Sequence, residues 1–376
     1  MEKIDPILIT GSQGFLAKNL IVHLQSLGFN NLLLIDRKTP DELFKKFVKE
    51  AKFIYHFAGV NRPTNPEDFI EGNVKFASSL INQLKLSKSK APIVISSSIQ
   101  AISDNPYGKS KKSGEDLFLS YAKETGNKVL IYRFTNIFGK WSKPNYNSVV
   151  ATFCYNISRN LPIKINDEHA KVSLIYIDDV VSEMIRALEN KVTTIDGILR
   201  VLPEYEMTVG QIALLIKSFH ESRLTLSIAN QKDPFIKKLY ATYLSFLDEQ
   251  SFIYDLTMHQ DLRGSFTEII KTKEEGQFSV NISKPGITKG NHFHHTKNEK
   301  FMVVSGQGLI RFRKVGTKEI IEYRVDGSKI QVVDIPPGYT HSIVNIGKQD
   351  LVTFMWASEI FDPKNPDTYP MEVEVK

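Results

Sequence analysis

The feature that most constrains the fold of this 376-residue chain is a change of hydrophobic period partway along it. In the first part, short apolar runs alternate with longer amphipathic ones. Ile7–Thr10, Leu32–Asp36, Phe53–Phe57, Ile93–Ser98 and Val129–Phe134 read as strands buried on both faces, and Leu16–Leu27, Phe69–Leu86 and Ser110–Thr125 as helices between them. That alternation predicts a doubly wound parallel sheet of the α/β class, with helices on both sides. After Phe134 the pattern loosens into loops containing Pro, Asn and Tyr, as expected of a substrate-binding portion.

From about Phe278 the period shortens. Phe278–Ser283, Lys300–Val304, Leu309–Arg313, Glu319–Tyr323, Lys329–Asp334, His341–Asn345 and Leu351–Trp356 read as strands at short intervals, punctuated by turns such as Ser305-Gly306-Gln307-Gly308. Many short strands so spaced predict an all-β sandwich or barrel. The chain also exceeds what one hydrophobic core usually supports. Two domains are therefore expected, 1–246 and 252–376, with the boundary near Phe246–Phe252.

Composition narrows the class. The hydrophobic fraction of 41% is ordinary for a globular protein, and no apolar run approaches the length of a membrane span. The start runs into a strand without an apolar signal region. The single cysteine, Cys154, excludes an internal disulfide and a multi-cysteine metal site. A cytoplasmic enzyme fits these facts. The net charge is +6, but basic and acidic residues balance from Phe252 onward and the first part carries no dense basic tract. Such a surplus suits phosphorylated small ligands; nucleic acid would need a clearer footprint.

Thr10-Gly11-Ser12-Gln13-Gly14-Phe15-Leu16-Ala17 closes the first strand and opens the first helix. Glycines there let the backbone approach a pyrophosphate, and the helix N-terminus supplies amide donors and a favourable dipole. The second strand ends in Asp36-Arg37. An acid at this place binds the ribose hydroxyls of NAD, whereas an adjacent arginine accepts the phosphate of NADP; guanidinium–phosphate pairing favours NADPH, with NADH possible. Downstream, Tyr107 and Lys111 are four residues apart, so a helix would turn both into one cleft. An ammonium beside a phenol lowers the phenol's pKa, letting the tyrosine exchange a proton with a carbonyl or alcohol oxygen.

Gly11-x-x-Gly14-x-x-Ala17, Phe57-Ala58-Gly59, Ser96-Ser97-Ser98, Tyr107-x-x-x-Lys111, Arg133-Phe-Thr-Asn136-Ile-Phe-Gly139 and Tyr176-Ile-Asp178-Asp179-Val180 resemble the extended short-chain dehydrogenase/reductases that act on nucleotide sugars. The resemblance implies a Rossmann-type fold with Gly11, Gly14, Phe15, Leu16, Asp36, Arg37, Ala58 and Gly59 around the cofactor. It implies Ser98 as the hydroxyl that steadies the substrate carbonyl, with Ser97 as the alternative register. Tyr107 would be the proton donor, and Lys111 the residue that holds the nicotinamide ribose. Asn136 would meet substrate. Members that dehydrate hexoses follow the serine or threonine with an Asp-Glu pair; here Ile99-Gln100 follows, which favours simple ketone reduction.

The second part offers another constellation. His292 and His294 alternate on a strand and so share a face, and Glu299 and His341 lie on segments able to converge on them. Three imidazoles and a carboxylate suit zinc or another divalent first-row metal, with a position left open. These segments are similar to the two signature motifs of the cupin superfamily, a jelly-roll fold. Asp261-Leu-Arg263-Gly264 and Lys289-Gly290-Asn-His292 also resemble metal-free sugar-nucleotide 3,5-epimerases, in which the histidine matching His292 is a base. Arg263 is a candidate contact for substrate phosphate or, equally, one half of a surface salt bridge.

Taken whole, the chain resembles the bifunctional capsular polysaccharide enzymes of the CapF type. That resemblance implies a UDP-linked 4-keto-6-deoxy-N-acetylhexosamine as substrate. The cupin part would epimerise C3, and the reductase part would then reduce the C4 ketone with NADPH, giving UDP-2-acetamido-2,6-dideoxy-L-talose for capsule or O-antigen. A homodimer is expected. The alternative is a single-activity reductase or 4-epimerase whose cupin serves only dimerisation. The proton-carrying base of the cupin part is left open among Tyr323, Tyr339 and His295.

Overall fold

The computed structural model describes residues 2–61, 65, 69–272 and 275–375. They form two compact units, Met1–Lys217 with Asp233–Leu247, and Ser218–Lys232 with Asp248–Lys376. Ser218–Lys232, inside the first expected range, clusters with the second unit. Its backbone pairs there, Ile228 N–H donating to the Lys271 carbonyl and Lys271 N–H to that of Leu226.

In the first unit, β1 (Ile7–Thr10), β2 (Leu32–Ile35), β3 (Phe53–His56), β4 (Ile93–Ser98) and β5 (Val129–Phe134) form an all-parallel sheet in the order β2-β1-β3-β4-β5. Alternate residues of a strand point to opposite faces. Ile7 and Ile9 accordingly enter one core with Leu20, Val94 and Met184, while Leu8 enters a second with Ile54, Leu80 and Phe118. Both faces are covered, which is why these runs lack polar alternation. The connections run through α1 (Phe15–Ser26), α2 (Asp41–Glu50), a π-helical turn at Ile70–Lys75 leading into α3 (Phe76–Leu86), and α4 (Pro106–Thr125). Parallel register brings the carboxyl ends of all five strands to one edge, where such folds bind ligands.

The region after Phe134 is more ordered than the sequence pattern suggests. It holds β6 (Asn136–Phe138), α5 (Val149–Ser158), β7 (Lys171–Tyr176), α6 (Ile177–Leu188), a short hairpin of β8 (Thr194–Ile195) and β9 (Ile198–Leu199), β10 (Tyr205–Thr208), α7 (Val209–Thr225) and α8 (Pro234–Leu244). The expectation of loops is corrected here. Ile177, Val180, Val181, Met184, Ala187 and Leu188 are buried at helical spacing, a stripe that the intervening Asp, Ser and Arg obscure in a linear reading.

The second unit is a sandwich of antiparallel strands. One sheet has the order β11-β12-β13-β20-β15-β18 and the other β17-β16-β19-β14-β21. In chain order these are β11 (Met258–Asp261), β12 (Gly264–Thr272), β13 (Gly276–Ser283), β14 (Thr288–Phe293), β15 (Glu299–Ser305), β16 (Gln307–Lys314), β17 (Ile320–Asp326), β18 (Val332–Ile335), β19 (Tyr339–Asn345), β20 (Leu351–Ala357) and β21 (Tyr369–Pro370). Phe301, Val303, Ile310, Phe312, Ile343 and Leu351 fill the space between the sheets. Of β14 the sequence placed only the His292–His294 alternation on a strand; Thr-Lys-Gly-Asn before it carries almost no apolar alternation, and the strand ends at Phe293. Its polar inward face belongs to a site.

Candidate active site and metal centre

The turn between β1 and α1 is built for close backbone approach. Gly11 has φ +68°, and a Cβ on it would lie 2.8 Å from both the Cα and N of Ala58. Its carbonyl accepts from Gly14 N–H at 2.8 Å. Gly14 caps α1 without a side chain and the first turn carries no acid, so the helix presents bare N–H donors and an uncompensated positive end. At the tip of β2, Asp36 accepts from Lys38 N–H at 2.8 Å and Arg37 is exposed. Phe15 and Leu16 open α1 half-buried, and Ala58 N–H donates to Thr10 Oγ1 at 3.2 Å beside the turn.

The helix that carries Tyr107 and Lys111 starts where its caps dictate. Asn105 Oδ1 accepts from Gly108 N–H at 2.8 Å, Pro106 occupies the first turn, and Gly126 ends the helix in the left-handed region. Tyr107 donates to Asn61 Oδ1 at 3.1 Å and is hydrogen-bonded to Ser98. Lys111 Nζ donates to the Ser96 carbonyl at 3.1 Å and lies 6.0 Å from the Tyr107 ring centroid. Gly59 faces this lysine: a Cβ there would meet Asn73 Oδ1 at 2.9 Å and Lys111 Nζ at 3.3 Å.

Burial bears on two sequence expectations. Ser97 points inward and donates to Glu115 Oε1 at 2.6 Å, leaving Ser98 as the hydroxyl beside Tyr107. The Tyr107 phenol is raised above its ordinary pKa, not lowered. Burial outweighs the hydrogen bond to Ser98, and burial likewise pulls the Lys111 ammonium down to about 8. Cys154 is buried, as read from the sequence.

Asn61, Asn73 and Glu115 went unread in the sequence. Asn73 sits in the π-helical turn, accepts from Val60 N–H at 2.8 Å and donates to the Val60 carbonyl and to Ser110 Oγ. No local pattern signals it. Glu115 was findable, because it continues the face of Tyr107 and Lys111 by one further turn. Arg133 grips it with two parallel bonds of 2.8 and 2.6 Å. Asn136 is exposed at the start of β6 and donates to the Ser173 carbonyl at 3.1 Å.

In the second unit, His292, His294, Glu299 and His341 do converge. Their candidate ligand atoms lie within 4.8 Å of one another. The sheet register puts His292 directly opposite His341, and Glu299 comes from the facing sheet. Glu299 Oε2 is 3.4 Å from Nε2 of both His294 and His341. His294 Nε2, Glu299 Oε2 and both ring nitrogens of His341 are buried without a hydrogen-bond partner. Leaving such atoms unsatisfied is costly, so the cluster fits a cation. For metal–ligand bonds of about 2.1 Å, the edge of a coordination tetrahedron is about 3.4 Å. Burial pulls the His292 imidazolium down to about 4, so its ring is neutral at pH 7 and able to ligate.

The cluster opens onto a pocket of about 570 Å³. His292, Glu299, Lys289, Asp261 and Arg263 are among the residues lining it. Arg263 pairs with Asp261 at 2.6 Å and stands at the pocket wall. Tyr323, Tyr339 and His295 are not among the residues that line this pocket. Lys289, missed in the sequence, is anchored to Asn281 Oδ1 at 2.7 Å and to the Ile282 carbonyl at 3.0 Å.

Residues 7–198 match the NAD dependent epimerase/dehydratase family, and residues 259–369 match the polysaccharide biosynthesis C-terminal domain. A UDP-2-acetamido-2,6-beta-L-arabino-hexul-4-ose reductase of Pseudomonas aeruginosa is 42% identical over 367 residues, covering 98% of both chains. The crystal structure of the capsular polysaccharide assembling protein CapF from Staphylococcus aureus superposes with a TM-score of 0.93 at 52% identity, covering 98% of this chain and all of that one. A UDP-N-acetylglucosamine 4-epimerase from Methanobrevibacter ruminantium, 19% identical with a TM-score of 0.55 over 65% of this chain and 99% of its own, shares the fold of the first part.

Proposed function

This chain belongs to the NAD dependent epimerase/dehydratase family and joins it to a polysaccharide biosynthesis C-terminal domain, as in CapF; from that premise we propose a two-site enzyme acting on one nucleotide-linked ketosugar. It is a nucleotide-sugar enzyme of the reductase/epimerase type, as its relatives' activities and roles in polysaccharide assembly indicate. The substrate we infer is a UDP-linked 2-acetamido-2,6-dideoxy-hexos-4-ulose. The sandwich unit inverts C3 and the α/β unit then reduces C4. The observation that carries the reading is the buried, unpartnered His/Glu cluster at a 570 Å³ pocket, in a chain that separately groups Ser98, Tyr107 and Lys111.

The order follows from carbon acidity. A C3–H bond beside the C4 ketone ionises because the negative charge spreads onto the ketone oxygen. Once C4 is an alcohol that acidity is gone, so inversion precedes reduction. A divalent cation held by His292, His294, Glu299 and His341 would supply Lewis acidity toward an oxygen of the substrate. The protein's part is to aim those four groups inward, with Phe301 packed against His341. Arg263 and Lys289 bring positive charge to the same pocket and suit an anionic substrate.

At the other site a nicotinamide cofactor supplies the hydride when bound. Tyr107 keeps its proton at neutral pH, because burial raises its pKa, and so can give it to the forming C4 alkoxide. Ser98 hydrogen-bonds the same oxygen, and Lys111, still charged below about pH 8, stabilises the phenolate left behind. Arg37 is exposed, which supports NADPH through its 2′-phosphate. Among the described residues no helix is long and apolar enough to cross a membrane, consistent with cytoplasmic work on a water-soluble nucleotide sugar. The exposed apolar residues of Phe252–Leu262 suit the expected homodimer.

Proton NMR of the UDP-4-ketosugar in heavy water tests the reading. Deuterium should enter at C3 without NADPH, and the C4 alcohol should appear only when NADPH is added. C4 reduction with no C3 exchange would leave a reductase whose second unit only assists assembly.

A further inference from the structure

We infer that Asp367 is a positioning residue of the His/Glu centre, acting from the C-terminal tail on the tautomer and placement of His294. The inference rests on the metal reading above and concerns how the site is held. His294 Nδ1 lies 2.6 Å from the main-chain carbonyl of Asp367. A carbonyl can only accept, so Nδ1 carries the hydrogen and Nε2 is left with its lone pair. Nε2 is the nitrogen that lies 3.4 Å from Glu299 Oε2 and is buried with no other partner. One bond thus selects the tautomer that can ligate.

The Asp367 side chain fixes the same turn from the other side. Oδ1 accepts from His295 N–H at 3.0 Å, and Oδ2 accepts from Thr296 N–H, Thr296 Oγ1 and Lys297 N–H at 2.9, 2.9 and 2.7 Å. These donors directly follow His294, so the carboxylate and the carbonyl of one residue clamp the ligand and its turn together. Asp367 has φ +35°, a conformation that aspartate tolerates better than most residues. The tail beyond it is tied down. β21 pairs with His292 and Phe293, Met371 N–H donates to the Asn291 carbonyl, the Thr340 hydroxyl donates to the Met371 carbonyl, and Arg313 Nε donates to that of Val373 at 2.7 Å. Thr340 is the neighbour of His341. The tail therefore reaches the strands of His292 and His341 as well as the turn that carries His294.

The test uses the full-length protein with zinc ion alone as probe and needs no substrate. Long-range proton–nitrogen correlation spectra of metal-free wild type should show His294 as the Nδ1–H tautomer; an Nε2–H tautomer overturns the inference. Competition against a chromophoric chelator should show Asp367→Ala binding zinc about 10- to 100-fold more weakly than wild type. Asp367→Asn, which keeps one acceptor oxygen and guards against a folding defect, should fall between the two. If wild type binds zinc and both variants match it, Asp367 has no part in placing His294, while the metal reading stands. If wild type itself takes up no zinc, the metal reading fails and this inference with it.

Discussion

The two sites of this chain hold their polar groups in opposite states. At the edge of the parallel sheet, almost every group has an internal partner: Tyr107 bonds Asn61, Lys111 bonds Ser96, and Glu115 bonds both Ser97 and Arg133. Between the sheets of the sandwich, His294 Nε2, Glu299 Oε2 and His341 Nε2 have none. A site satisfied by its own side chains is preorganised in the absence of ligand. A buried site left unsatisfied is incomplete without one, because desolvated donors and acceptors cost free energy until something pairs with them.

The strongest way to break this contrast is a crossed pair of variants. His341→Ala should reduce C3 deuterium exchange by at least about a thousandfold while leaving NADPH binding intact, because one of four ligands is gone. Tyr107→Phe should lower NADPH oxidation by about 10²- to 10⁴-fold and spare C3 exchange. Loss of NADPH binding in His341→Ala, or of C3 exchange in Tyr107→Phe, would tie the sites together and end the comparison. Isotope exchange followed by NMR and cofactor absorbance together read both.

Stability sharpens it next. Glu115→Ala strands Ser97 and Arg133 and should cost about 3 kcal/mol by denaturant titration, the low end for such a pair because Arg133 regains water. Glu299→Gln in metal-free protein removes a carboxylate whose Oε2 has no hydrogen bond, and should change stability by less than about 1 kcal/mol. Zinc should raise the melting temperature of wild type and not of Glu299→Gln. Equal costs for the two substitutions would contradict the distinction.

Smaller effects concern the cofactor side. Arg37→Ala should weaken NADPH about tenfold relative to NADH, the loss of one charge-assisted contact, read from KM ratios. The pH profile follows from Lys111. Its pKa is pulled below the ordinary lysine value to about 8, so the ammonium is intact below that pH and lost above it. Ketone reduction should be level below pH 8 and fall toward tenfold per unit above it. C3 exchange should show no break there.

Legibility in the sequence divides along the same line. The glycine turn at Gly11–Gly14, the Tyr107–Lys111 spacing and the cluster of His292, His294, Glu299 and His341 are close-set or motif-bound, and their placement could be anticipated. The helices after Phe134 were hidden because their apolar stripes are diluted by charged residues. Of β14 only the histidine alternation was legible, because Thr-Lys-Gly-Asn offers no apolar signal.

By itself, the sequence determined the alternation of strands and helices in the first part and the change to short strands in the second, since periodicity, caps and turn residues act within a few positions. Only the tertiary structure decided that Ser98 and not Ser97 meets Tyr107, that the phenol's pKa rises, that Ser218–Lys232 joins the sandwich, and that Asp367 reaches His294. Those outcomes depend on burial and on partners far apart in the chain, and desolvation is a property of the packed interior that no local pattern records.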